Sequence, residues 1–195
     1  NFSNVTFVIE DGQLVIEKRA VTLTSATDSK VYDGQPLTNH NVTAVGFVEG
    51  QGATYDVTGS RTDVGTSDNT FKYTLNKGTK ADNYTITKTE GKLTVTAATN
   101  EVIVTIKENA GTVTYDGTEK TVTGYTVKSI SNKLYEEKDF TFSGSAVVKG
   151  TDAGTYDMAL KPEDFENKNN NFSNVTFVIE DGQLVIEKRA VTLTS

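Results

Sequence analysis

The two ends of the sequence are identical over a long stretch. Residues 1–25 read NFSNVTFVIEDGQLVIEKRAVTLTS, and residues 171–195 repeat those letters without a change. Chance does not produce such identity, and the alternative is a cloning artefact that duplicated one end. A period of roughly 170 residues is far longer than one solenoid repeat. Each period must therefore contain one or two domains of its own, and we expect the parent protein to repeat this period in tandem.

A second, degenerate repeat lies inside this period. The tripeptide Tyr-Asp-Gly occurs at residues 32–34 and again at residues 115–117. Further matched blocks follow in the same order, and they pair residues 54–60 with 139–145, residues 62–66 with 151–155, and residues 83–95 with 174–186. The same alignment sets Phe71, Tyr73 and Leu75 against Tyr156, Met158 and Leu160. Matched blocks in one order predict two homologous domains.

These blocks predict where the domains begin and end. The first domain is expected at residues 19–98 and the second at residues 99–189, each near the lower end of the usual range of domain sizes. Residues 1–18 would then be the C-terminal hairpin of a preceding repeat, and residues 190–195 the first strand of the next repeat. The rest of the second domain, residues 99–170, could therefore be completed by either of two identical segments, residues 1–18 or residues 171–188.

The composition narrows the class of protein. The net charge is −7 and the Lys and Arg residues are scattered, which argues against a nucleic-acid partner because phosphate binding needs a concentrated basic patch. The absence of Cys excludes thiol catalysis, thiolate metal sites and disulfides together. No apolar run approaches the length of a membrane span and no signal peptide is present, so we expect any targeting or anchoring segment outside this stretch.

The local patterns predict strands almost throughout. Apolar residues alternate with polar ones around Asp11-Gly12, which is typical of a β-hairpin with a type I′ turn at residues 5–16. Residues 85–95 repeat this design around Glu90-Gly91. The best helix candidate is residues 162–167, where Pro162 suits the first helical position, and it can form one or two turns at most.

The expected fold class is therefore all-β, or β-rich with at most a short helix. Two homologous small β domains follow each other in tandem. Each is expected to be β-grasp-like or, alternatively, an immunoglobulin-like sandwich.

Several motifs together resemble a known family. They are a strand ending in Tyr-Asp-Gly, the Gly-Phe-Val segment at residues 46–48, the Thr-Asp-Val-Gly-Thr loop, and a final Asn-Tyr-Thr-Ile then Gly-Lys-Leu-Thr-Val block. In this order they are similar to the MBG and YDG repeat domains of bacterial, Gram-positive cell-surface adhesins. In the second domain residues 129–133 replace the Gly-Phe-Val segment. The resemblance implies extracellular repeats in large, often wall-attached proteins, in the company of mucin-binding domains, and it implies no catalytic site.

The side chains that could carry chemistry are few. His40 is the only histidine and is expected at the surface. Without Cys and without a nucleophile elbow, no hydrolytic machinery is visible, so we expect no enzyme activity and no cofactor. The carboxylate pairs Glu10–Asp11, Glu136–Glu137 and Glu163–Asp164 are interpreted as solvated turns or helix starts rather than a glycosidase pair.

Three further patterns remain as hypotheses. Asp63, Asp68 and Asn69 are weak calcium candidates because they offer hard oxygen ligands in a flexible loop, although no EF-hand pattern supports them. Tyr32 and Tyr115 could be exposed platforms for sugars, but their recurrence in both domains favours core packing. An intramolecular Lys–Asn isopeptide bond, as in some Gram-positive stalk domains, is the third hypothesis, because Lys, Asn and acidic residues are abundant.

The sequence therefore predicts a tandem-repeat module of an extracellular bacterial adhesin, acting as a stalk or spacer and as a multivalent weak binder of host glycan or mucin. The alternative is an accessory carbohydrate-binding module of a secreted hydrolase. The expected partners are neighbouring repeats of the same chain. Because residues 1–18 expose apolar side chains unless something covers them, we expect this segment to pack on the following domain or to exchange strands with another chain.

Overall fold

The computed structural model describes residues 1–194 and consists of short β-strands. Residues 19–96 contain eight of them. These are β1 (Arg19–Ser25), β2 (Asp28–Val31), β3 (Val42–Val45), β4 (Ala53–Val57), β5 (Gly65–Asp68), β6 (Phe71–Leu75), β7 (Tyr84–Thr89) and β8 (Lys92–Thr96). A single 3-10 turn, Ala81–Asn83, precedes β7.

The strands of residues 102–187 follow a closely related order. They are β9 (Val102–Glu108), β10 (Gly111–Thr114), β11 (Lys120–Thr123), β12 (Tyr125–Ile130), β13 (Phe140–Phe142), β14 (Val147–Gly150), β15 (Gly154–Asp157), β16 (Phe165–Asn167), β17 (Val175–Glu180) and β18 (Gln183–Glu187). The predicted short helix is a single 3-10 turn, Pro162–Asp164, with Pro at its start, and the rest of that stretch is β16. The all-β prediction is confirmed, and residues 1–194 contain no α-helix.

The first strand of each half pairs in parallel with the next-to-last strand. β1 lies between β3 and β7, and β9 lies between β12 and β17. The register sets Val21 opposite Ile86 in the first half and Val104 opposite Phe177 in the second. These strands alternate buried and exposed side chains, so one face of each sheet supplies core residues. The next-to-last strand of each half therefore returns to lie beside the first strand of the same half.

The hairpin predicted at residues 85–95 is wrong, and so is the matching one at residues 174–186, because the strands on either side of each turn lie in different sheets. β7 pairs with β1 whereas β8 lies between β2 and β5, and β17 pairs with β9 whereas β18 lies between β10 and β15. Neither Gly91 nor Gly182 has the positive φ that a type I′ turn requires. A Cβ on Gly182 would instead lie 2.4 Å from the carbonyl oxygen of Asn109. Glycine is needed for close backbone contact where the chain crosses between sheets.

A buried side chain holds each crossing in place. Glu108 is 2% exposed, and its carboxylate accepts hydrogen bonds from the backbone N–H groups of Gly182, at 2.7 Å, and Leu160, at 2.5 Å. In the first half, the hydroxyl of Ser25 accepts from the N–H of Gly91 at 2.9 Å and donates to the carbonyl of Asn69 at 2.6 Å. The N–H of the crossing glycine thus has a buried side-chain acceptor in both halves, a carboxylate in one and a hydroxyl in the other.

The matched blocks need one correction. β4 pairs with β6 so that Val57 faces Phe71, and β13 pairs with β16 so that Phe142 faces Phe165. Phe165, not Tyr156, is therefore the counterpart of Phe71. Tyr156 lies in β15, which corresponds to β5. The alignment slipped because a longer connection, including the 3-10 turn, separates β15 from β16.

The chain forms two compact units. The first comprises Asn1–Asp28, Thr38–Ser60 and Ser67–Leu93. Its core contains Val21, Leu23, Val57, Phe71 and Tyr84.

The second unit comprises Ser29–Leu37, Arg61–Thr66 and the chain from Thr94 onward. Its larger core gathers aliphatic and aromatic side chains, among them Val104, Ile106, Tyr135, Phe140, Phe172, Phe177, Leu184 and Ile186. The boundary between residues 98 and 99 drawn from the repeats stays a prediction.

The N-terminal copy of the duplicated segment does not form its predicted hairpin. Residues 1–18 contain no strand and all of their side chains are exposed. Phe7 is 85% exposed, whereas its duplicate Phe177 is 8% exposed. Burying such a side chain stabilises a fold by about 1.5–3 kcal/mol, and residues 1–18 lack that gain because β9 pairs with the C-terminal copy, at residues 175–180. Strand exchange with a neighbouring chain stays a prediction.

The duplicated glycines provide a matched test of the crossing. Gly182→Ala is expected to lower the free energy of unfolding by about 1–3 kcal/mol, because the added methyl overlaps backbone atoms of Glu108 and Asn109. Gly12→Ala changes the same residue in the same local sequence, but nothing lies within 4 Å of position 12, so no loss is expected. Chemical denaturation followed by circular dichroism measures both. Equal losses at the two positions would contradict the assignment of the C-terminal copy as the folded one.

Candidate interaction surfaces at the Tyr-Asp-Gly turns

The Tyr-Asp-Gly motif is a self-contained turn. The Asp33 carboxylate accepts hydrogen bonds from the side chain of Lys30, at 2.6 Å, and from the N–H of Gln35, at 2.9 Å. The hydrogen bond from Lys30, assisted by that from Gln35, lowers the pKa of Asp33. Gly34 has a φ of +77°, which glycine adopts without strain.

The second Tyr-Asp-Gly turn keeps the hydrogen bond from the N–H two residues after Asp, but its lysine follows the motif instead of preceding it. The Asp116 carboxylate accepts from Lys120, at 2.5 Å, and from the N–H and hydroxyl of Thr118, at 3.0 and 2.7 Å. These hydrogen bonds, led by that of Lys120, hold the pKa of Asp116 well below its usual range. Gly117 has a φ of +82°. Each turn fixes the position of the tyrosine that precedes it at the end of a strand.

The first turn forms part of a face that is occupied. We define the first face as Tyr32, Gly34, Asp63 and Val64. The ring of Tyr32 packs edge-on against Phe172, with 5.5 Å between ring centroids. Gly34 lies under Leu134, since a Cβ on Gly34 would be 2.9 Å from the Leu134 Cδ2 atom.

Polar contacts fix the same face. The side-chain amide of Asn171 donates to the Asp63 carboxylate at 3.0 Å and accepts from the N–H of Val64 at 2.8 Å. Both ends of one amide are thus satisfied by neighbouring residues of the Thr-Asp-Val-Gly-Thr loop. The first face therefore combines an aromatic contact with a two-point hydrogen bond.

Phe172 is held from the other side by its own half of the chain. It is buried, and Tyr135 packs edge-on against it at 5.4 Å. Burial raises the pKa of the Tyr135 hydroxyl to about 12, so the hydroxyl stays protonated and donates to the Asn167 side chain at 3.0 Å. The residues that occupy the first face are thus part of a rigid core.

The homologous second face is open. We define it as Tyr115, Gly117, Asp152 and Ala153. Tyr115 is 37% exposed, and within residues 1–194 no aromatic ring packs against it. A surface groove runs beside it, lined by Tyr115, Asp152, Ala153, Lys188, Arg189 and Val191. The prediction of core packing fits Tyr32, which packs against the core of the second unit, and is wrong for Tyr115, which has no counterpart of Phe172.

The calcium candidates do not converge. Asp63 binds Asn171, Asp68 forms an ion pair with Lys92, and the buried Asn69 donates to the carbonyls of Ala26 and Asn39. Within the part of the chain that the structure describes, no group of three or more His, Cys, Asp or Glu side chains could hold a metal ion. The three side chains instead stabilise separate pieces of local structure.

The remaining sequence candidates lie apart from these faces. His40 is exposed, and so are Glu10, Asp11, Glu136, Glu137 and Glu163. Asp164 accepts a hydrogen bond from the N–H of Lys161 at 2.9 Å, which caps the 3-10 turn. The described residues include no helix that is long and apolar enough to cross a membrane.

Sequence reasoning missed the residues that matter most at the first face. Asn171 and Phe172 were considered only as part of the duplicated segment, and Leu134 lies just after residues 129–133, the segment that replaces Gly-Phe-Val. The signal that could have found Phe172 is its position as an apolar residue in a polar, Asn-rich loop, because burying such a side chain requires a partner surface.

The two homologous tyrosines are expected to differ in their contribution to stability. Tyr32→Ala removes the ring contact with Phe172 and should lower the free energy of unfolding by about 2 kcal/mol. Tyr115→Ala in the same chain should change it by less than about 0.5 kcal/mol, because no ring covers Tyr115. Urea denaturation of both variants measures the difference, and similar losses would contradict the contrast between an occupied and an open face.

Comparison with known proteins finds a family similarity in the second half of the chain. The MBG domain family matches residues 102–188, which carry strands β9 to β18. No curated protein and no solved structure matches the chain significantly. The match falls on the half in which the Gly-Phe-Val segment is replaced. Residues 102–188, a β-rich segment of somewhat less than half of the chain, are therefore similar to MBG domains.

Proposed function

We propose that this chain is a tandem-repeat module that acts as a stiff spacer in an extracellular bacterial adhesin. The observation that supports the proposal is the shortness and fixation of the two connections between repeated segments. A spacer must keep its length under thermal motion, and short connections bound to their neighbours restrict bending.

The first connection, residues 97–101, joins β8 to β9 and is bound by hydrogen bonds. The N–H of Ala98 donates to the carbonyl of Asn171 at 2.9 Å, and the N–H of Ser173 donates to the carbonyl of Ala98 at 3.0 Å. Ala98 and Phe172 form a parallel β-bridge. The connection is therefore part of the folded structure.

The second connection is inferred from the duplicated segment. β18 ends at Glu187, and Arg189 is the duplicate of Arg19, which begins β1. In consecutive periods only Lys188 would separate the last strand of one domain from the first strand of the next. A one-residue connection gives the two strands little freedom to change their mutual direction.

The adhesin setting rests on the sequence. The similarity to MBG domains, the absence of Cys and the identical tandem segments favour an extracellular repeat protein attached to a bacterial cell wall through regions outside this chain. An array of such periods would project a distal binding region away from the surface.

The spacer proposal is tested by measuring how length depends on the number of periods. For chains of one, two, three and four periods, small-angle X-ray scattering is expected to give a maximum dimension that rises by a constant increment per period. Flexible joints would instead give growth closer to the square root of the number of periods. The matched control carries a Gly-Ser insertion after each Lys188, and its increments should decrease. Square-root growth of the chains without the insertion would contradict the proposal.

Binding measurements separate the spacer from the two adhesive alternatives. A glycan array and immobilised mucin are probed with one period and with three. For a pure spacer we expect no saturable binding by either. Binding that appears only with three periods would show a multivalent weak binder, because linked sites gain affinity by effective concentration. Saturable binding of a defined sugar by one period would favour an accessory carbohydrate-binding module.

A further inference from the structure

We infer that the open second face is a docking surface for the first domain of the following period. The inference deepens the proposed function, since it requires periods in tandem, and it identifies a contact that would hold consecutive periods together. Its occupant is a specific part of the next copy of this same sequence, namely the loop at residues 46–52 and the 3-10 turn Ala81–Asn83.

The two faces have the same backbone. In each, the tyrosine N–H donates to the last strand of its own half, Tyr32 to the carbonyl of Thr96 at 2.8 Å and Tyr115 to that of Glu187 at 2.9 Å. The following glycines have φ values of +77° and +82°. Asp63 and Val64 correspond to Asp152 and Ala153 within the matched loops. The second face thus presents the same groups that bind Asn171, Phe172 and Leu134 at the first face.

The duplicated segment indicates what lies next to the second face. Lys188 and Arg189 line the groove beside Tyr115. Their duplicates Lys18 and Arg19 line a different groove, in the first unit, together with Ile16, Glu17, Val48, Gln51, Asp82, Asn83 and Tyr84. In consecutive periods one Lys-Arg pair would border both grooves, so the two surfaces must meet at this pair.

The elements on that surface are the counterparts of those that occupy the first face. Leu134 lies in the connection between β12 and β13, which corresponds to the loop at residues 46–52 between β3 and β4. Phe172 precedes β17 as the 3-10 turn Ala81–Asn83 precedes β7. Within this loop Val48 is 41% exposed, which leaves an apolar side chain available for contact with Tyr115.

The proposed occupant is already ordered. The Tyr84 hydroxyl donates to the side chain of Gln51 at 2.6 Å and accepts from the N–H of Val48 at 3.4 Å. Phe47 packs edge-on against the Tyr84 ring at 5.2 Å. A loop that is fixed before docking loses little conformational entropy on contact.

The Lys-Arg pair that both surfaces share would lie at the joint, beside acidic residues of the proposed occupant. Lys188 and Arg189 border the second face, and the exposed Glu49 and Asp82 lie on the proposed occupant. Opposite charges at the rim favour one orientation of the joint over others. The expected joint therefore has an apolar contact between Tyr115 and Val48 and a rim of opposite charges.

The test uses a chain of two complete periods with Tyr115→Ala in the first period only. The matched control has the same substitution in the second period, where no following domain can dock on the second face. NMR amide hydrogen exchange is read at residues 46–52 of the second period. We expect Tyr115→Ala in the first period to speed exchange there by about tenfold and the control to leave it unchanged.

A reciprocal substitution makes the test independent of any change within the second face. Val48→Ser in the second period should speed exchange at residues 46–52 to the same extent and increase the solvent exposure of Tyr115 of the first period, whereas Val48→Ser in the first period should not affect that Tyr115. If Tyr115 of the first period is as exposed in the two-period chain as in the one-period chain, the docking inference is wrong. In that case the length of the chain could still grow linearly with the number of periods. The spacer proposal and the docking inference can therefore fail independently.

Discussion

The parallel pairing of the first strand with the next-to-last strand is the constraint on which the rest of the structure depends. β9 can complete its sheet only when β17 returns beside it, and β1 requires β7 in the same way. Parallel neighbours need a long connection, and here that connection is the whole body of the half. Each half therefore closes only when its last segment is in place, and the buried Glu108 then fixes the crossing that leads to β18.

This constraint explains why one sequence has two structures in the same chain. Residues 175–187 are strands because β9, β10 and β15 supply their partners and the core covers Phe177 and Ile186. The identical residues 5–17 form no strand and remain exposed, since β9 pairs with the C-terminal copy. The local alternation of the sequence is the same in both copies, so tertiary pairing decides the outcome.

The all-β class and the position of most strands could be predicted from the sequence, because alternation and turn residues are local signals. The sheet assignment could not. Asp181-Gly182 has the composition of a hairpin turn, yet Gly182 is required by the backbone of Asn109, a contact distant in sequence. The two tyrosines show the same limit: their motifs are identical, but Tyr32 is covered by Phe172 whereas Tyr115 is open, and this depends on residues outside either motif.

Amide hydrogen exchange in the two copies of the duplicated segment, followed by NMR on the whole chain, tests the role of tertiary closure most directly. Residues 175–180 are hydrogen-bonded to β9, whereas residues 5–10 have the same sequence and no strand partner. The account predicts strong protection of the amides in 175–180 and exchange near unfolded-chain rates in 5–10. Equal protection of the two copies would contradict it, since the N-terminal copy would then fold on a partner other than β9 of its own chain.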